Sequence, residues 1–375
     1  MSDKTFDAVI IGGGNKALFL AMYLIKFGGM SVGIFERRHE VGGCLATEEI
    51  SAPGFRGNTH ANIILPVYYA PIYRDFPEFW DCGAQWEQYL CSDGAAFANN
   101  DTCLAIYSIK HDPSQERTAE EIARFSKRDA ESYLRLWQTF QSDEIQRVMI
   151  DQFFYPPEQI LAPEFGERQM AVFGKLMEAD LVPDSLTMKS SPLRQVREMW
   201  ECEEMQYCHA RFVASAATDI NDPGAGVETV ALGAQLPILG FNKGGTHQIA
   251  HAAQQILVRL GCRFFTNTEV EKVVIENGTA TGIRLVDGSR VGARKLVVAA
   301  GLSPEQVVFD LIGREKFTDK VVRRVELLSH KHIACLMWCS FAIHEAPTYR
   351  AEQFNPDIHE TFWLGLGADA DPEHI

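Results

Sequence analysis

Residues 7–36 read DAVIIGGGNKALFLAMYLIKFGGMSVGIFE, and the order of parts in this stretch decides the fold. Asp7 to Ile11 is a short apolar run of the kind buried on both faces of a parallel sheet. Gly12, Gly13 and Gly14 break it. From Asn15 to Phe27 the apolar residues Ala17, Leu18, Ala21, Met22 and Ile25 recur at three- and four-residue steps, which predicts a helix with one buried face. Gly28-Gly29 ends that helix, and Ser31 to Phe35 gives a second strand closing on Glu36. The stretch is a βαβ unit. Gly12-x-Gly14-x-x-Ala17 therefore stands where a dinucleotide fingerprint belongs. The first glycine permits the turn, the second lets backbone N–H groups approach a pyrophosphate, and small Ala17 lets helix and strand pack closely. Asn15 opens the helix, whose N terminus offers free donors and partial positive charge. Glu36 is placed to accept the ribose hydroxyls. It disfavours a 2′-phosphate there, although Arg37 and Arg38 partly offset its charge.

Immediately outward lies Arg37-Arg38-His39-Glu40-Val41-Gly42-Gly43-Cys44. Two more glycines just past the ribose acid predict a second close backbone approach, as an extended cofactor such as FAD needs. A further block spans residues 238–301. Thr246 is placed as an N-cap, the stripe Ile249, Ala252, Ala253, Ile256, Leu257 and Leu260 is helical, and Gly261 stands where a left-handed cap belongs. Three β segments follow, punctuated by the tight-turn pairs Asn277-Gly278 and Asp287-Gly288, and then the buried run Lys295 to Gly301. Residues 76–235 differ: helical stretches (Ala119 to Phe140, Gln195 to Val213), aromatics and prolines predict a second, largely helical domain.

IIGGGNKA, FERRHEVGG and PGFRGNTHAN together resemble the start of the phytoene desaturase-related FAD oxidoreductases. The block from GGTHQIAHAAQQ to KLVVAAG is similar to that family's second FAD segment, and FSKRDAESY (125–133) to its middle region. The resemblance implies an α/β fold with a discontinuous Rossmann-type FAD-binding domain (1–75 and 236–305) and an interleaved α+β substrate domain (76–235, rejoined by 306–375). It implies FAD held by Gly12, Gly14, Asn15, Ala17, Glu36, Arg37, Gly42 and Gly43, with adenine at the backbone of Val270 and Ala300-Gly301 passing close to the cofactor. It also implies redox chemistry on a hydrophobic, unsaturated organic molecule: desaturation, saturation or double-bond isomerisation. An amine or alcohol oxidase on the same scaffold, or a non-catalytic dinucleotide-binding protein, are the alternatives. The family's glycine-rich closing segment is not recognisable in 306–375, where Gly365-Leu366-Gly367 is too short. A truncated product, or half of a two-chain enzyme completed by a partner chain, is the corresponding expectation.

Composition bounds the rest. The 375 residues exceed what one hydrophobic core holds, about 250–300. A formal net charge of −15 argues against a nucleic-acid partner and against polybasic attachment to anionic lipid, while leaving shallow peripheral membrane contact open. The nine cysteines contain no CxxC pair, and the N terminus has no signal-peptide pattern, so a reducing, cytoplasmic setting is expected. No metal site is expected. His247 and His251 are spaced i, i+4 but lie off the apolar stripe and read as a solvated face; His330-x-His332 and the Cys335/Cys339 pair lack completing ligands. His60, in the polar stretch with Arg56, Asn58 and Thr59, is the candidate catalytic proton carrier, because imidazole titrates near neutrality. The aromatics Tyr68, Tyr69, Trp80, Trp86, Phe153, Phe154 and Tyr155 are candidates to line an apolar tunnel.

Overall fold

A computed structural model describes residues 4–64, 66–182, 186–216, 218–328 and 339–375, with only the backbone of 66–68 and 153. His330, His332, Cys335 and the side chains of Tyr68 and Phe153 lie outside the described residues. The strand Lys4–Ile11 is the centre of a six-stranded sheet. On one side it pairs in parallel with Val32–Phe35, which pairs in parallel with Arg263–Phe265; on the other it pairs in parallel with Arg290–Ala299. Thr279–Leu285 and Val270–Glu276 extend that side as an antiparallel meander. Residues 4–35 and 263–299 thus form one sheet, and the architecture is α/β.

Alternation along the central strands explains why both sheet faces are covered. Ala8, Ile10, Val32 and Ile34 face a core formed with the helices Asn15–Lys26 and His247–Arg259. Phe6, Val9, Ile11 and Phe35 face the opposite core, closed by Val273, Ile283, Leu285, Val291 and Leu311. Ala17 and Ala21 on one helix, and Ala250 and Ala253 on the other, are buried side by side in the first core. Phe76, Phe79, Cys82 and Ala84 belong to that same core.

The helix His247–Arg259 ends as its sequence predicts. Gly261 has φ +86°, Cys262 N–H donates to Leu257 C=O, and Gly261 N–H donates to Val258 C=O, which is a Schellman cap. Its start differs from expectation. Thr246 makes no side-chain cap; the Thr47 hydroxyl accepts from His247 N–H at 3.1 Å and Asn58 Oδ1 from Thr246 N–H at 3.0 Å. The orphan donors are satisfied from 188 and 200 residues away, a source no local pattern reveals. The last β segment also differs: the meander's third strand and Lys295–Ala299 are one ten-residue strand, bonded to the meander at one end and to Lys4–Ile11 along its length.

The second domain packs a three-stranded sheet, ordered Thr361–Gly367, Cys91–Phe97, Thr102–Tyr107, against helices. Its core includes Phe97, Leu104, Ile106, Tyr133, Leu136, Trp200 and Phe212. Both long helical stretches expected here are broken. Ser126 caps Lys127–Phe140 by accepting from Asp129 N–H, separating it from Glu116–Ala123. Buried Asp129 in turn accepts from the N–H groups of Glu201 and Cys202, between Pro192–Met199 and Glu203–Ser215. Among the described residues no helix is long and apolar enough to cross a membrane.

Candidate active site

The carboxyl ends of the parallel strands bring four segments together: 12–14, 36–38, 266–270 and 299–301. In open α/β sheets this is where ligands bind. Gly12 has φ +88°, which only glycine adopts without strain, and its N–H donates to Phe35 C=O at 2.8 Å. Glu36 is 9% exposed; its carboxylate accepts from Gly13 N–H at 2.7 Å and from Arg38 N–H at 2.8 Å. The acid is thus held by the loop it would serve beside. Arg38 C=O and Glu36 C=O accept from Asn267 and Thr268, which lays the chain leading into half-buried Val270 along the second strand's end. Arg37 is exposed there, and Ala300 C=O lies 3.7 Å from where a Cβ on Gly12 would stand.

Gly13 and Gly14 are glycines for different reasons. A Cβ on Gly13 would meet Val41 Cγ1 at 2.8 Å, so that position is closed by the protein itself. A Cβ on Gly14 would meet nothing within 4 Å, and Gly14 has ordinary extended geometry (φ −68°, ψ 171°). Neither the fold nor the backbone requires glycine at 14; the open space beside it does. That space faces the start of Asn15–Lys26, which carries no side-chain cap and no acid in its first turn. A pyrophosphate fits this cradle, with Glu36 in reach of an attached ribose. Asn15 is tied to Tyr69, and Ala17 is fully buried beneath the loop. Gly42 (φ +125°) and Gly43 (φ +60°) lie against the first loop: Gly42 N–H donates to Gly13 C=O, and a Cβ on Gly43 would stand 3.1 Å from Gly14 Cα.

A cavity of about 630 Å³ opens between the two domains. Thr47, Arg56, Asn58, Asn62, Asn242, Gly244 and Gly245 give it a polar side, and Tyr89, Phe241, Phe362, Trp363 and Leu364 an apolar one. Tyr89, Phe241 and Phe362 form a mutually packed aromatic cluster, with ring centroids 4.8–5.9 Å apart. Arg211 braces this wall from behind: it pairs with fully buried Asp93 and donates to the carbonyls of Gly94 and Trp363, each at 3.3 Å. Burial pushes the Asp93 carboxyl up to about 6, against the pull of Arg211.

Arg56 and Asn58, singled out in the sequence, do line this cavity; His60 does not. His60 is exposed and its Nδ1 meets only the neighbouring Thr59 hydroxyl, at 2.8 Å. Of the aromatics expected to line a tunnel, Tyr69 is core, Trp80, Phe154 and Tyr155 are exposed, and Trp86 packs beside Ile64; the wall is made by other residues. His247 also departs from expectation. It is 8% exposed, with Nδ1 2.7 Å from Leu45 C=O and Nε2 3.1 Å from His251 Nε2, because the helix turns that position onto the 40–47 loop.

The family model described as flavin containing amine oxidoreductase matches residues 18–329. The chain belongs to that family. The match begins beyond the glycine loop, so loop and family match rest on different residues and agree: membership makes FAD the dinucleotide of this site. One of the two subunits named for limonene dehydrogenase in Castellaniella defragrans is 25% identical over 390 aligned positions, covering 99% of this chain and 65% of that protein. Pyridine nucleotide-disulfide oxidoreductase domain-containing protein 2 of Rattus norvegicus is 26% identical, covering 86% of this chain and 58% of that protein. The chain therefore spans less than two thirds of either relative. An oxidoreductase from Methanosarcina mazei shares the fold at TM-score 0.52 and 16% identity, over 86% of this chain and 65% of that one.

Proposed function

We propose that this flavin-family chain carries the FAD-binding and substrate-contacting parts of an oxidoreductase acting on a hydrophobic, unsaturated organic molecule. The Gly12–Gly14 loop and the start of Asn15–Lys26 hold the pyrophosphate, Glu36 the ribose, and the backbone at Val270 the adenine. Gly42-Gly43 and Ala300-Gly301 border the cofactor's path. The flavin, when bound, supplies the two-electron chemistry of desaturation, saturation or isomerisation. The protein orients the apolar molecule and excludes water from it. The observation that carries this reading is the wall of Tyr89, Phe241 and Phe362, packed as a cluster on one side of the cavity. Arg56, Asn58 and Asn62 opposite give such a molecule a fixed orientation. The similarity to a protein named as a limonene dehydrogenase subunit supports both the apolar substrate and a partner chain.

His60 enters as a proton carrier at the solvent-facing rim, between the wall residues Asn58 and Asn62 in sequence. Exposed Leu161 and Met170 on the helical hairpin of the second domain support peripheral bilayer contact. The test of the substrate class is anaerobic mixing of the FAD-loaded protein with limonene or with a primary diamine. Loss of the visible flavin band with limonene alone is expected. Loss with the diamine alone would transfer the proposal to amine oxidation. For His60→Ala at full flavin content, a fall in turnover of about tenfold supports the rim role and unchanged turnover removes it.

A further inference from the structure

One hydrogen-bonded path runs from the cavity's polar side to the glycine loop, and His247 stands at its middle. Asn58 Oδ1 accepts from the Thr47 hydroxyl at 2.8 Å, and Thr47 Oγ1 accepts from His247 N–H at 3.1 Å. The His247 ring then reaches Leu45 C=O at 2.7 Å. A carbonyl only accepts, so Nδ1 carries the proton and Nε2 of neutral His247 is left to accept from His251 Nε2–H. Glu40 lies on the same side, 3.5 Å from Nε2. Leu45 N–H donates to Gly42 C=O, Gly42 N–H to Gly13 C=O, and Gly13 N–H to Glu36.

The path has no slack. A Cβ on Gly42 would stand 2.8 Å from Leu45 O and 3.1 Å from both His247 Nδ1 and Ala250 Cβ. A Cβ on Gly245 would stand 2.4 Å from Thr47, so the turn that starts the helix is pressed onto the same loop. His247 is therefore buried with both ring nitrogens engaged, at the point where the helix meets the 42–45 turn. A buried imidazole held this way sets the position of what it holds, since leaving Leu45 C=O unpaired would cost a full desolvation penalty.

We propose that His247 is a positioning residue for the cofactor: its Nδ1–H bond to Leu45 fixes the Gly42–Leu45 turn against Gly13 and so sets the shape of the pyrophosphate cradle. This rests on the loop being the FAD site. The test is the FAD dissociation constant of the full chain, read by quenching of flavin fluorescence. His247→Leu removes both ring nitrogens and weakens FAD about tenfold; His247→Asn keeps an N–H donor at the δ position and returns affinity to within about threefold. That rescue separates positioning from bulk packing, which leucine fills better than asparagine. Wild-type affinity in His247→Leu, or equal weakness in the two variants, overturns the proposal. Should His247→Leu not fold, Gly42→Ala displaces the same turn and carries the same expected loss, and wild-type affinity there overturns it too. Glu36→Ala distinguishes the two levels. If it loses FAD while His247→Leu does not, only the positioning role fails; if neither loses FAD, the dinucleotide reading of the loop fails with it.

Discussion

The glycine loop takes its shape from neighbours in sequence, whereas the aromatic wall is gathered from three distant segments. Gly12 to Gly14 follow one strand and start one helix, and their ribose acid ends the next strand. Tyr89 precedes a strand of the second sheet, Phe241 stands before the returning helix of the first domain, and Phe362 belongs to a strand near residue 367. The loop is thus a local device that a single substitution can disable without unfolding anything. The wall exists only when both domains are assembled, and its members share their energy. Cofactor binding and substrate binding should therefore respond to different substitutions.

The largest expected effect comes from Gly14→Val. With no atom within 4 Å and ordinary backbone angles, the valine is accommodated by the fold but occupies the phosphate space. FAD affinity should fall by at least about a hundredfold, with the thermal midpoint of the cofactor-free protein unchanged. Next is Phe241→Ala combined with Phe362→Ala. Loss of two packed rings should lower kcat/KM for an apolar alkene by about thirtyfold, mostly through KM, with FAD affinity intact. An equal loss of FAD in this double variant would break the separation of the two ends. Gly13→Ala should show the reverse of Gly14→Val: its Cβ presses on Val41, so stability falls by about 1–3 kcal/mol in thermal unfolding.

The smallest effect is a pair of opposed pH slopes in the second domain. The raised Asp93 carboxyl (3.8 to about 6) binds more protons folded than unfolded, so its contribution to stability is present below 3.8 and lost as pH rises through about 6. His209 is fully buried between Trp200 and Thr229, and burial pushes it down to about 4. It binds more protons unfolded, so its contribution is present above 6.5 and lost as pH falls through about 4. Relative to the wild type, Asp93→Asn should lose more stability on acidification across this window, and His209→Phe less. Denaturant unfolding at several pH values reads both.

Which features are legible in sequence follows from the same contrast. The βαβ unit, the Gly261 cap and the Asn277-Gly278 hairpin (φ +49° and +79°) are local, and each has a short-range signature. The cap on His247–Arg259 comes from Thr47 and Asn58, and the break before Glu203 is held by Asp129, so neither appears in a window of neighbouring residues. His247 reads as solvated in sequence for that reason: helical periodicity gives its face, but only the 40–47 loop makes that face an interior. The cavity is half legible. Arg56 and Asn58 announce themselves in a polar run, while Tyr89, Phe241 and Phe362 look in sequence like any core aromatics.

The most direct test of the cofactor end is reconstitution of the purified wild-type chain and Gly14→Val with FAD, followed by the visible spectrum of each after removal of free flavin. A stoichiometric flavin spectrum in the wild type, and none in an equally stable Gly14→Val, is the predicted result. A colourless wild type after reconstitution, or flavin bound equally by both, would contradict it.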